Sequence, residues 1–184
     1  HSQHPPKVAL PRDYNAAVDF IDRHPAQGRG DKVAYIDDRG STTYTELAQR
    51  VNRAGNLLKA LGVQMEQRVL LCLLDTIDFP ALFWGAIKIG AVPVPVNTLL
   101  TSANYDTMLR HSRAPVLVVS AALHDKFAPI LEGQPSLREK VLVDGAGQPG
   151  WHDYATLLAN ADVELEPAPT TPDDAAFWLY SSGS

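Results

Sequence analysis

Residues 68–96 read RVLLCLLDTIDFPALFWGAIKIGAVPVPV, and this stretch decides the fold. Residues 68–74 form an apolar run of strand length, the kind buried on both faces of a parallel sheet. Asp78 is expected to cap the helix over 79–89, and Pro80 is tolerated in its first turn, where no internal N–H partner is lost. Gly90 supplies a left-handed stop. Residues 91–96 are the next strand, which Pro93 and Pro95 place near a sheet edge or a strand end. Strand, helix and strand in so short a span imply a βαβ unit.

The same alternation extends in both directions. Upstream, a short helix is predicted over 15–24, ended by Gln27-Gly28-Arg29-Gly30. Residues 33–37 and 42–44 read as a hairpin around Asp38-Arg39-Gly40. Thr43 and Glu46 have capping-box spacing, and the helix they open repeats Leu47, Val51, Ala54, Leu58 and Leu61 before Gly62 stops it. Downstream, Ser102 is expected to cap a helix to about His111. A strand over 115–120, a helix over 122–131, a strand over 140–144 and a helix over 151–159 follow. After a proline-rich loop over 162–172, an apolar strand over 175–180 runs into Ser181-Ser182-Gly183-Ser184. Residues 1–12, with Pro5, Pro6 and Pro11, read as an extended arm, and 13–184 as one α/β unit. The fold class is therefore α/β, a mostly parallel sheet flanked by helices.

Composition bounds the function. The chain has 184 residues, 45% of them hydrophobic and 20% charged, enough for a conventional core without staples. No apolar run approaches the roughly 20 residues that span a bilayer. A net charge of −5 gives no basic stripe, so neither nucleic acid nor a membrane is expected as a partner. The lone Cys72 sits in an apolar run, reads as a small buried hydrophobe, and cannot form an internal disulfide. The start, His1-Ser2-Gln3-His4-Pro5-Pro6, has neither an initiator Met nor a signal-like apolar region. A trimmed or processed start and a cytoplasmic location are the expectation.

Several candidate sites can be weighed. Gly145-Ala146-Gly147-Gln148-Pro149-Gly150 formally matches a dinucleotide fingerprint. Asp144 would put a carboxylate beside the pyrophosphate, and Pro149 removes an N–H, so a plain turn before a helix capped near Asp153 is preferred. The six histidines show no ligand spacing, and no metal site is expected. Asp37-Asp38, Asp75 with Asp78, and Asp173-Asp174 are accounted for mainly as turn and cap residues, and no catalytic triad assembles. Ser181, Ser182, Gly183 and Ser184 suit a polyphosphate: glycine lets the backbone approach closely, and N–H and hydroxyl groups supply donors.

Four stretches in order then resemble the opening of an adenylate-forming acyl-CoA synthetase. Tyr180-Ser181-Ser182-Gly183-Ser184 matches the first five positions of that family's nucleotide loop. Thr43-Tyr44-Thr45-Glu46-Leu47 resembles its early strand-to-helix turn, and 58–63 (LKALGV) its first core motif. Residues 85–97 (GAIKIGAVPVPVN) resemble the second. Within the family, the likeness is to benzoate–CoA and hydroxybenzoate–CoA ligases. The resemblance implies ATP, Mg²⁺ and coenzyme A, a small aromatic carboxylate as substrate, and Ser181, Ser182, Gly183 and Ser184 as the start of the β/γ-phosphate loop. It also implies that 13–184 is the N-terminal part of the family's large domain, ending within that loop. The family's loop lysine, Mg²⁺-binding glutamate, ribose-binding aspartate, hinge and catalytic lysine would all follow Ser184, so no catalytic residue is assigned and the 184-residue chain alone is expected to be inactive. The competing readings are a ligase of the same superfamily with another acyl substrate, and a non-catalytic α/β interaction domain.

Overall fold

The computed structural model describes residues 9–181. Where one helix is predicted over 15–24, a π-turn at Val18–Asp22 leads into a short helix, α1 (Arg23–Ala26). Pro25 has no N–H to give to the Ile21 carbonyl, so an α-helical ladder cannot run unbroken through it. Strands β1 (Val33–Asp37) and β2 (Gly40–Thr43) pair antiparallel as a separate hairpin. Tyr44, expected in the second strand, instead opens α2 (Tyr44–Ala60). Thr43 caps α2 as its spacing predicts. Its hydroxyl accepts the Glu46 N–H at 3.3 Å, and the Glu46 carboxylate accepts the Thr43 N–H at 2.7 Å.

The chain continues through β3 (Arg68–Cys72), α3 (Asp78–Lys88), β4 (Val92–Pro95), α4 (Ser102–Ser112) and β5 (Val116–Ser120). It then passes through α5 (His124–Phe127), β6 (Glu139–Val143), β7 (His152–Asp153) and α6 (Tyr154–Asn160). Strands β3 to β7 form one parallel sheet of five in the order β4-β3-β5-β6-β7. The predicted fold class is the observed one.

Alternate residues of the inner strands serve opposite faces, as the two-residue period of a strand requires. Val69, Leu71, Val116 and Val118 pack with Ala54, Leu58 and Leu82 of α2 and α3. Leu70, Cys72, Leu117 and Val119 pack with Tyr105 and Leu109 of α4 and with Phe127 of α5. Both faces are covered, which explains why 68–72 reads as a continuous apolar run and not an alternating one. Helices α2 and α3 meet at Gly55 and Gly85, where a Cβ on Gly85 would stand 2.8 Å from the Gly55 nitrogen. From α2, Asn52, Arg53 and Asn56 reach out to the loop after α6, donating to the carbonyls of Val163 (2.9 Å), Ala161 (2.7 Å) and Glu164 (2.8 Å).

Four local expectations are corrected. The cap of α4 is Thr101, not Ser102: Thr101 stays extended and its hydroxyl accepts the Asn104 N–H, while Ser102 is already helical. The helix predicted over 122–131 is three short pieces, with 3₁₀ turns at Ala121–Leu123 and Ala128–Ile130 around α5. Pro129 has no N–H for the Asp125 carbonyl, and the ladder ends there. The helix predicted over 151–159 begins only at Tyr154, because His152 and Asp153 join the sheet as β7 and the Asp153 side chain caps α6 from there. Residues 175–180, predicted as a strand, belong to neither sheet.

Candidate functional site

Ligands of open α/β sheets bind at the carboxyl ends of the strands, where neighbouring connections leave in opposite directions. Here that point lies between β3 and β5, since β3 leads outward to the edge strand β4 and β5 leads the other way to β6. The Leu74 N–H donates to the buried Ser120 hydroxyl across it at 3.0 Å.

A groove of about 1040 Å³ opens at the same end of the sheet, on the α2 side, lined by residues including Asp37, Arg39, Arg50, Asp78, Asp144 and Tyr154. Its charges are largely spent on one another. The Asp78 carboxylate, 3% exposed, pairs with Arg39 at 2.8 Å and Arg50 at 3.5 Å, and Arg39 also pairs with Asp144. Asp78 is therefore not the predicted cap of α3. The residue before the helix is Ile77, and its N–H is taken at 2.9 Å by Asp37 of the hairpin. That hydrogen bond, with a second from the Arg39 N–H, holds the Asp37 carboxyl below the ordinary range. The Tyr154 hydroxyl is buried with no hydrogen-bond partner, and burial pushes its pKa up. The network fastens the hairpin to the start of α3 and the end of β6.

Residues 145–150 behave as the predicted turn. Gly147 and Gly150 take left-handed φ angles of 75° and 78°, and the preceding Asp144 is held by Arg39 where a pyrophosphate would have to approach. Among the described residues, no group of three or more His, Cys, Asp or Glu is placed to hold a metal ion. Cys72 is buried, and burial pushes its thiol pKa up.

The terminal segment is fixed mostly by side chains. The N–H groups of Val92 in β4 and of Val96 just after it point inward to the carbonyls of Gln67 and Leu71. Pro93 and Pro95 thus face the open edge and offer carbonyls but no N–H. A second strand cannot zip onto such an edge. Residues 175–180 make one bond to it, from the Trp178 N–H to the Pro93 carbonyl at 3.1 Å. The Phe177 ring packs 5.4 Å from Phe83 of α3, and the Arg68 guanidinium lies 5.3 Å from the Trp178 ring centre. Tyr180 reaches the last turn of α4, its hydroxyl 2.9 Å from His111 Nδ1 and 3.4 Å from the Met108 carbonyl. Of the predicted phosphate-binding residues, Ser181 is exposed at the end of this segment, while Ser182, Gly183 and Ser184 lie outside the described residues. Arg68 and His111, in sequence a strand residue and a helix end, join Phe83 in holding the segment. Nothing in their sequence spacing signals it.

A five-stranded parallel sheet with helices on both faces defines an open α/β domain. Residues 22–184 match the AMP-binding enzyme family, and the chain belongs to it. It is 53% identical over its whole length to a benzoate–CoA ligase of Thauera aromatica, covering 34% of that protein. Over 94% of its length it is 47% identical to a 4-hydroxybenzoate–CoA/benzoate–CoA ligase of Rhodopseudomonas palustris, covering 32% of that one. The crystal structure of the anthranilate CoA ligase AuaEII in complex with anthranoyl-AMP superposes with a TM-score of 0.91 at 32% identity, over 95% of this chain and 33% of that one. The chain spans about a third of the length of the relatives it matches.

Proposed function

We propose that this chain is the N-terminal portion of an ATP-dependent aryl-CoA ligase that converts benzoate or a hydroxybenzoate first to the acyl-adenylate and then to the CoA thioester. The observation that carries this reading is the 53% identity along the whole chain to a benzoate–CoA ligase. In the first step a carboxylate oxygen attacks the α-phosphorus of ATP, the bond to the bridging oxygen breaks, and pyrophosphate leaves. In the second the CoA thiolate attacks the acyl carbon and AMP departs. Charge moves onto the pyrophosphate in the first step, so fixed donors aimed at the β- and γ-phosphates favour it. Ser181, Ser182, Gly183 and Ser184 are assigned that role on the motif they share with the family, as the start of a loop whose remainder follows them. Mg²⁺, when bound, would offset phosphate charge, and its ligands belong to the later part of the enzyme. A cytoplasmic enzyme of aromatic-acid breakdown fits these substrates.

The test is product formation by the intact ligase, offered ATP, CoA and a panel of aromatic and aliphatic acids, with thioesters read by mass spectrometry. Benzoyl-CoA or hydroxybenzoyl-CoA with one AMP per thioester is the expected product, and the 184-residue chain alone should make none. Turnover of aliphatic acids with no aromatic thioester would overturn the substrate assignment. Activity of the short chain would overturn its role as a part.

A further inference from the structure

The edge of β4 cannot hold residues 175–181 by a backbone ladder, since Pro93 and Pro95 give it no outward N–H. One main-chain bond, Trp178 to Pro93, remains. Position along the edge therefore falls to side chains, and four of them converge there. The Arg68 guanidinium is itself anchored, its Nε donating to the Ser112 carbonyl at 2.6 Å and one Nη to the Glu66 carbonyl at 3.1 Å. From that fixed base it lies 5.3 Å from the Trp178 ring centre. The His111 ring stands 6.2 Å from Trp178 and 5.7 Å, edge to face, from Tyr180. The Tyr180 hydroxyl closes the set against His111 Nδ1 at 2.9 Å and the Met108 carbonyl at 3.4 Å. If Nδ1 is bare it accepts from the phenol. If it carries a hydrogen it donates to the phenol oxygen, and the phenol turns to Met108.

We propose that Tyr180, His111, Trp178 and Arg68 form a clasp that positions the chain entering the phosphate loop, so that Tyr180 and His111 are positioning residues for ATP in the ligase reaction. The proposal rests on the reading of Ser181, Ser182, Gly183 and Ser184 as phosphate donors. Consecutive Cα atoms are about 3.8 Å apart along a trans chain, so any drift at Tyr180 passes directly to Ser181. Donors that must be ordered at the moment of binding weaken that binding by the entropy of ordering them. Misplacement of about 1 Å at a reacting centre can lower a rate by roughly a hundredfold. Because the clasp adjoins the segment read as the start of the phosphate loop, its effect should fall on ATP.

The experiment is steady-state kinetics of the intact ligase with Tyr180→Phe, which removes one hydroxyl and keeps the ring. The KM for ATP should rise about tenfold, with the KM for the aromatic acid changed less than twofold. His111→Ala should match it, the double variant should be no worse than either single one, and His111→Asn, which keeps a polar group near the Nδ1 position, should restore much of the loss. Amide exchange in 177–181 should quicken in Tyr180→Phe while β3 and β5 exchange as in the unaltered protein. An unchanged ATP KM in Tyr180→Phe, or equal rises for ATP and acid, would overturn the clasp. A parent enzyme that consumes no ATP with any acid would instead defeat the functional reading beneath it.

Discussion

Gly85→Ala is expected to destabilise the chain by about 2–3 kcal/mol, although alanine is the better helix former by about 1 kcal/mol. The added methyl would meet the Gly55 nitrogen at 2.8 Å and the Val51 carbonyl oxygen at 2.9 Å, both backbone atoms of α2. Neither can swing aside as a side chain could, so the helices must separate or slide, and the Ala54, Leu58 and Leu82 packing beneath them opens. Gly55→Ala is the internal comparison. Its Cβ would first meet the end of the Leu165 side chain, which can move, and then the Gly85 carbonyl at 3.1 Å. Its expected loss is nearer 1 kcal/mol. Urea unfolding followed by circular dichroism measures both. A Gly85→Ala midpoint equal to the parent would show that the two helices are not locked at this crossing.

Asp22→Ala carries the second large effect. The Lys88 ammonium is almost wholly buried and is held by the Asp22 carboxylate and the Asn52 side-chain oxygen, each at 2.6 Å. Removing one partner of a buried pair typically costs about 3–5 kcal/mol, because the remaining charge is left uncompensated. Asp22 is 28% exposed, so some water can replace it. A loss of about 2–3 kcal/mol is therefore expected, somewhat below that range. Lys88→Met removes the charge together with its need for a partner and should be milder, since apolar replacements of buried ions are often close to neutral. The two variants' unfolding free energies should therefore fall in the order Lys88→Met above Asp22→Ala. The reverse order would mean that Lys88 gains more from the pair than its burial loses.

Much of the architecture was legible because local chemistry and tertiary environment agree. The apolar run beginning at Arg68 announced a strand with two covered faces, and the Thr43–Glu46 spacing announced a cap. Pro93 and Pro95 announced an edge, which β4 is. What escaped were cases where a distant residue takes over a local role. Asp78 reads as a cap, but Asp37 accepts the helix-start N–H from forty residues away, leaving Asp78 to pair with Arg39 and Arg50. Residues 175–180 read as a strand by composition, yet strandhood needs a partner with donors, and the β4 edge has none at its prolines. The resemblance found the family through short motifs, whose members are neighbours in sequence. It could not find His111, which meets Tyr180 from 69 residues upstream.

Acid-dependent exchange of labelled pyrophosphate into ATP tests the phosphate loop most directly, because it reports the adenylation step without CoA. The intact protein should show exchange with benzoate or a hydroxybenzoate and none without acid. Gly183→Val, which fills the close approach a glycine allows, should abolish it while the thermal midpoint stays within a few degrees of the parent. Exchange as fast in Gly183→Val as in the parent, or no exchange with any aromatic acid, would contradict the assignment of Ser181, Ser182, Gly183 and Ser184 to the nucleotide's phosphates.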